Sequence, residues 1–157
     1  MSNNKIGQTE EAEIQDSDLV IEKQVCFSLY SAANAIVRAY RPMLKALDLT
    51  YPQYLVMIVL WNNNGINVKA LGHQLHLDSG TLTPLLKRLE SKELLTRQRG
   101  SEDERVREIF LTEQGILLKN LAETIPNQML CKSKLPVEEL LTLKESCDKM
   151  CDNLQDK

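Results

Sequence analysis

The chain has 157 residues, of which 43% are hydrophobic and 4% are aromatic, and its net charge is −3. The charge is uneven along the chain: it is −4 over residues 1–25, +2 over 26–66, +2 over 67–107 and −3 over 108–157. This composition suits one domain with an aliphatic helical core, alone or with a dimerisation region. No run approaches the roughly 20 apolar residues of a membrane span, and the first residues carry no apolar signal segment, so we expect a cytoplasmic protein.

The chain begins with a tail and a long helix. Residues 1–17 are polar, acidic and without periodicity, so we expect them to be disordered. Residues 16–18 offer N-caps for a helix over residues 18–45. Its apolar positions are spaced as a heptad seam, which requires a second helix as its partner. The seam consists of Leu19, Cys26, Tyr30, Ala33, Val37 and Tyr40.

Residues 50–76 predict two further helices. Thr50, followed by Pro52 and Gln53, is typical of a capping box with a proline in the first turn. It opens an apolar helix that runs to about Trp61. Asn67 can cap a short helix that ends near residue 76.

Residues 78–91 predict a helix with two different faces. Leu82, Leu85, Leu86 and Leu89 fall at i, i+3, i+4 and i+7, so this face must pack inward. The start of the helix stays open, because Pro84 should kink a helix that starts at residue 79 but is harmless after a cap at residue 80 or 81. The other face is small and hydroxylated, then basic, and such groups can reach base edges and phosphates in DNA. Its candidate DNA-binding residues are Ser79, Gly80, Thr81, Thr83, Lys87 and Arg88.

Residues 95–99 and 106–111 alternate like the two strands of a hairpin, with a loop at 100–104. Asp103 and Arg105 lie at its tip, where an arginine can enter a narrow minor groove and a flanking acid can orient it. Three more arginines are either exposed strand charges or phosphate contacts. They are Arg97, Arg99 and Arg107.

The end of the chain predicts two more amphipathic helices. Thr112 caps one that ends near Met129, and Pro136 begins another that ends near Leu154. The expected fold class is mainly α with a small β-hairpin wing. A winged helix-turn-helix at 50–111 lies within a single domain at 18–157, with dimerisation helices at 18–47 and 112–157. This arrangement predicts a homodimer that binds double-stranded DNA.

The cysteines lack the CxxC spacing of a zinc site, so we expect no metal and no cofactor. A cysteine on an apolar seam is ordinarily a small hydrophobe. However, Tyr30 and Tyr40 share the seam of Cys26, and a buried phenol needs a polar partner such as a thiolate. Tyr40 follows Cys26 by 14 residues, about 21 Å along a helix, so only Cys26 of a second chain is within its reach. The cysteines are Cys26, Cys131, Cys147 and Cys151.

With these residues in place, the chain resembles the MarR family of winged-helix repressors, and within it the organic hydroperoxide resistance regulators. The matching stretches are QVCFSLY at 24–30, AYRP at 39–42, LTYPQYLV at 49–56, LDSGTLTPLLKRLE at 77–90, EDER at 102–105 and LTEQG at 111–115. The resemblance implies that Cys26 senses the peroxide, with Tyr30 and Tyr40 as its partners. It also implies that Cys131, between the last two helices, is the resolving cysteine of a two-cysteine type.

Three functions compete. The first is a repressor that binds operator DNA when reduced and is released when an organic hydroperoxide oxidises Cys26. In the second, a small ligand binds non-covalently and the cysteines are incidental. An enzyme is disfavoured, because the sequence has no paired carboxylates, nucleophile elbow or phosphate-binding loop. Cys147 and Cys151 are alternative resolving thiols, although packing between helices explains them better.

Overall fold

The computed structural model describes residues 19–100 and 105–154. It divides into two compact units, Met1–Arg38 and Ala39–Lys157. The predicted tail at 1–17, the caps at 16–18 and the wing-tip residue Asp103 lie outside the described residues.

The described part of the first unit contains a 3₁₀ turn at Ile21–Lys23 and the beginning of helix α1, Val25–Leu44. The prediction that this helix starts at residue 18 is wrong. Gln24 is extended, with φ −85° and ψ 110°, and residues 19–24 are exposed. No packing therefore offsets the cost of nucleating helical turns there. Leu19 lies outside α1, so the seam on this helix begins at Cys26.

The second unit holds the remaining helices and a two-stranded sheet. The predicted caps Thr50, Asn67 and Thr112 are confirmed, since each side chain accepts the backbone N–H three residues on. The elements are α2 (Tyr51–Asn62), α3 (Val68–Leu75), α4 (Ser79–Ser91), β1 (Leu95–Arg99), β2 (Arg107–Leu111), α5 (Glu113–Ala122), α6 (Ile125–Ser133) and α7 (Val137–Leu154).

An aliphatic core joins α2, α3, α4 and the hairpin. Met57 and Leu60 of α2 are fully buried, as are Leu71 of α3 and Leu89 of α4. The antiparallel strands pair Leu95 with Leu111, Arg97 with Ile109 and Arg99 with Arg107. This packing fixes the base of the hairpin beside the end of α4.

The C-terminal helices differ from the prediction at one point. Instead of one helix from Thr112 to Met129, the chain forms α5 and α6, because Pro126 has no N–H to donate to the carbonyl of Ala122. Helix α7 follows as predicted, and none of its residues is buried. Its exposed leucines include Leu141 (54% exposed) and Leu143 (48% exposed).

Candidate nucleic-acid interface and cysteine sites

The first turn of α4 is closed by Asp78. Its carboxylate accepts the backbone N–H of Thr81 at 2.8 Å and the Thr81 hydroxyl at 2.9 Å. These hydrogen bonds to Thr81 lower the pKa of Asp78. The helix therefore starts at Ser79, and Pro84 lies inside it without ending it. The sequence had left the start of this helix open, and the structure places it at the earlier of the positions considered.

The two faces of α4 separate as the periodicity predicts. Leu82, Leu86 and Leu89 are buried, and Leu85 is half-buried. Of the candidate DNA-binding residues on α4, Thr83 is half-buried and the others are exposed. The exposed ones are Ser79, Gly80, Thr81, Lys87 and Arg88.

The wing carries arginines in different environments. Arg105 is exposed just before β2, and Arg99 and Arg107 are exposed opposite each other across the hairpin. Arg97 is half-buried, and its guanidinium donates from Nε to Oε2 of Glu90 at 2.9 Å and also from Nη2. This pair lowers the pKa of Glu90. Arg97 is therefore engaged within the protein.

A groove of about 640 Å³ lies between α3, α4 and the wing. It brings Ser79 and Thr83 of α4 together with Arg105, three candidates that the sequence separates by up to 26 positions. Lys69 and Arg107 also line it. The groove thus places polar and basic side chains of the helix face and the wing beside one another within the second unit.

The four cysteines are free thiols. Cys26, Cys131 and Cys151 are exposed and Cys147 is half-buried. The prediction that Cys131 lies in a connection between helices is wrong, because it is inside α6, two residues before the helix ends at Ser133.

The tyrosines form a cluster that the sequence only partly indicated. The ring centroids of Tyr40 and Tyr51 are 4.7 Å apart, and those of Tyr40 and Tyr54 are 5.9 Å apart. Burial, and secondly the charges of Tyr51 and Tyr54, raise the pKa of Tyr40. Its phenol therefore stays a hydrogen-bond donor at neutral pH. Tyr30, on the first unit, is 67% exposed.

Tyr51 is the residue that the sequence reasoning missed. It stood inside the Thr50 capping box and was interpreted only as part of a helix start. Tyr51 is the first residue of α2, and its ring packs on the ring of Tyr40. A tyrosine beside a cap was the signal available in the sequence.

Across residues 19–100 and 105–154, no three His, Cys, Asp or Glu side chains are grouped as a metal site requires. His73 and His76 are exposed. No single described helix is long and apolar enough to cross a membrane, and Val25–Leu47 with Tyr51–Asn62 meets that length and composition only as a bent pair.

A recognition helix whose polar face adjoins a basic hairpin defines a winged-helix DNA-binding protein. Comparison with known proteins agrees. The family described as transcriptional regulator SarA/Rot matches residues 38–122. The organic hydroperoxide resistance transcriptional regulator of Bacillus subtilis is 46% identical over 87% of this chain and 93% of its own length. SarZ of Staphylococcus saprophyticus is 39% identical over 85% of this chain and 91% of its own.

Solved structures give the same result. One similar structure is that of AbfR from Staphylococcus epidermidis, solved in its reduced form bound to DNA. It is 34% identical to this chain, the match covers 87% of this chain and 95% of AbfR, and the TM-score is 0.72. Its overoxidised form bound to DNA has a TM-score of 0.71 at 33% identity, covering 85% and 95%. Its disulfide form has a TM-score of 0.61 at 33% identity, covering 83% and 92%.

The chain belongs to the MarR family of winged-helix transcriptional regulators and groups with the organic hydroperoxide resistance regulators. Like its relatives, it is a DNA-binding regulator of transcription. It is not an enzyme.

Proposed function

We propose that this chain is a repressor that binds operator DNA as a reduced homodimer and leaves it when an organic hydroperoxide oxidises Cys26. One observation carries the proposal: Cys26 is an exposed thiol on α1 in a chain 46% identical to an organic hydroperoxide resistance regulator. AbfR, solved in reduced, overoxidised and disulfide forms, supports a regulator whose cysteines change oxidation state.

The DNA-binding part of the proposal rests on the second unit. The exposed face of α4 presents Ser79, Gly80, Thr81, Lys87 and Arg88, and we assign it to the major groove. Thr83 lines the groove beside this face. The wing carries Arg105, which we assign to the minor groove together with Asp103. Two copies related by a two-fold axis would then read a pseudo-palindromic site in successive major grooves.

Dimerisation is supported by apolar side chains that the single chain leaves uncovered. On α7, the seam Leu143, Met150 and Leu154 is exposed, with Cys147 half-buried on the same face. On α1, Phe27 and Tyr30, which are three residues apart on one side of the helix, are exposed. Such faces are stable in water when a second helix covers them, so a homodimer is the arrangement that we propose.

The tyrosine cluster supports a sensing role for Cys26. The Tyr40 phenol, whose pKa is raised by burial, can donate a hydrogen bond to a thiolate. Because Tyr40 follows Cys26 by 14 residues, we propose that it meets Cys26 of the second copy. Tyr51 stacks on Tyr40 and would share that site, and Tyr30 would line it.

The chemistry has two steps. The Cys26 thiolate attacks a peroxide oxygen, the O–O bond breaks, and the alkoxide takes up a proton and leaves as an alcohol, so that Cys26 becomes a sulfenic acid. A second thiol then attacks the sulfenic sulfur, a disulfide forms and water leaves. We propose Cys131 of the second copy as that thiol, because it is exposed on α6.

The test measures operator binding by electrophoretic mobility shift before and after treatment with cumene hydroperoxide. Wild type should release DNA and run as a covalent dimer on a non-reducing gel, and Cys26→Ser should do neither. Cys131→Ser should form the sulfenic acid without the crosslink, and Cys147→Ser and Cys151→Ser are the matched controls. If Cys26→Ser still releases DNA, the cysteine is incidental and a non-covalent inducer is the better explanation. A crosslink that survives in Cys131→Ser would move the resolving role to Cys147 or Cys151.

A further inference from the structure

The Glu90–Arg97 pair connects the recognition helix to the middle of the wing. Glu90 is one residue before the end of α4, and Arg97 is the central residue of β1. Oε2 of Glu90 accepts two N–H groups of the same guanidinium, the one from Nε at 2.9 Å. Both side chains are about one third exposed (31% for Arg97 and 35% for Glu90). This is a charge-assisted contact with restricted access to water.

The two strands of the hairpin are tied to the rest of the unit by different contacts. Leu94 and Leu95 are buried, and the backbone N–H of Leu94 donates to the carbonyl of Leu89 at 3.1 Å. On β2, Ile109 is fully buried and its backbone N–H donates to the carbonyl of Ile66 at 3.0 Å. On β1, beyond Leu95, the Glu90–Arg97 pair joins the strand to α4. Two-stranded ribbons twist and bend easily, so a tie at Arg97 restricts the outer part more than one at the base.

Arg97 also lines the groove between α4 and the wing, but part of its guanidinium is already engaged. Two of its N–H groups point at Glu90, and its partner across the hairpin is Ile109, which is fully buried. The charge of Arg97 is therefore matched inside the protein.

We propose that Glu90 and Arg97 are positioning residues, which hold the wing at a fixed distance from α4 so that both engage DNA at once. The inference rests on the proposed function only in taking the face of α4 and Arg105 as the two DNA contacts. A wing that is free to swing would lose part of its contact to the entropy of ordering it on DNA.

The Glu90→Gln substitution separates this role from its alternative by the sign of the effect. If the pair positions the wing, operator affinity falls about threefold to tenfold, within the range of coupled neighbouring residues, and the salt dependence of binding is unchanged. If Glu90 merely neutralises Arg97, freeing that charge raises the affinity and steepens the slope of log K against log salt by about 0.9. The second result overturns the proposal.

The matched control is Glu108→Gln. Glu108 pairs with Gln98 on the opposite face of the hairpin from Arg97, so this variant also removes one negative charge near the proposed DNA contacts but leaves the Glu90–Arg97 pair intact. It should bind the operator at least as tightly as wild type. Equal losses in Glu90→Gln and Glu108→Gln would mean that the pair has no positioning role.

A double-mutant cycle with Arg105→Ala gives a readout that a merely structural role would not change. With the wing held, Arg105→Ala should cost its full effect, and in a Glu90→Gln background it should cost at least threefold less, since the coupling of the two sites is then lost. Arg97→Gln should reproduce the loss of Glu90→Gln, and the swap Glu90→Arg with Arg97→Glu should recover part of it. Additive effects of Glu90→Gln and Arg105→Ala would overturn the proposal. Failure of wild type to bind any operator would instead overturn the proposed function.

Discussion

Helices α4 and α7 are both amphipathic, but their apolar faces have different surroundings. On α4, Leu82, Leu86 and Leu89 are at most 1% exposed within one chain, whereas on α7 Leu143 is 48% exposed and Leu154 is 75% exposed. An apolar stripe predicts that something covers it and does not say whether the cover is the same chain. The apolar face of α4 is covered within one chain, whereas the apolar face of α7 is left uncovered.

The DNA-binding region should collapse when its closest packing is disturbed, and Gly115→Ala is the sharpest way to do this. A Cβ at Gly115 would lie 2.0 Å from the carbonyl oxygen of Leu94, and the Gly115 carbonyl also accepts the N–H of Trp61 at 2.8 Å. Because both neighbours are held by the fold, we expect a loss of about 3 kcal/mol or more in the free energy of unfolding, measured by urea denaturation.

Gly80→Ala is the control for this substitution. Its Cβ would meet only the side chain of Asp78, at 3.0 Å, which can move. Its stability should stay within about 1 kcal/mol of wild type. Equal stability of the two variants would show that α5 does not pack tightly on the wing.

Helix α7 should behave in the opposite way, losing association without losing its fold. Leu143→Lys places a charge on the exposed seam, so we expect the dimer dissociation constant to rise about tenfold to a hundredfold, in line with about 1.5–3 kcal/mol for a buried leucine. Sedimentation equilibrium measures this change, and circular dichroism should show unchanged helix content.

Glu145→Lys introduces the same residue on the opposite face of α7 and should leave the dimer intact. If Leu143→Lys stays dimeric, the seam of α7 is not an interface.

The local structure of the second unit followed from the sequence because its signals are local. The caps at Thr50, Asn67 and Thr112 each satisfy an N–H only three residues away, and the strands alternate with period two. The break at Pro126 does not follow from periodicity, because the helical pattern continues on either side and only the missing N–H of the proline marks the break. The start of α1 was placed too early because polar capping residues were available before any packing partner for the first turns.

The site was predictable as a surface and not as a set of contacts. The exposed face of α4 followed from periodicity alone. The Glu90–Arg97 pair and the stacking of Tyr40 on Tyr51 depend on how the chain turns between two elements, which the spacing of the residues does not fix. The placement of Cys131 failed with the break at Pro126, since its helix was not foreseen.

A substitution in the wing should lower DNA affinity without changing the stability of the fold or the association of the dimer. Arg105→Ala should weaken operator binding by about 1–3 kcal/mol and reduce the salt slope by about one phosphate equivalent, with unchanged unfolding and an unchanged dimer. Arg41→Ala, an equal loss of charge at an exposed position of α1, is the control. Unchanged affinity at moderate salt would mean that the wing does not touch DNA.

The smallest expected effect distinguishes the two regions by pH. The pKa of Asp78 is lowered because its carboxylate accepts hydrogen bonds from Thr81. A carboxyl whose pKa is lower in the folded state gives stability that is present above its unfolded pKa of about 3.9 and is lost as the pH falls through the folded pKa.

Asp78→Asn keeps the cap, since asparagine caps as well as aspartate, but it removes this titration. Its urea midpoint should therefore fall less than that of wild type between pH 6 and about pH 3. An Asp78→Asn variant with the full acid dependence of wild type would show that this cap does not contribute to it, leaving Glu90, whose pKa is lowered by Arg97, as the next group to replace.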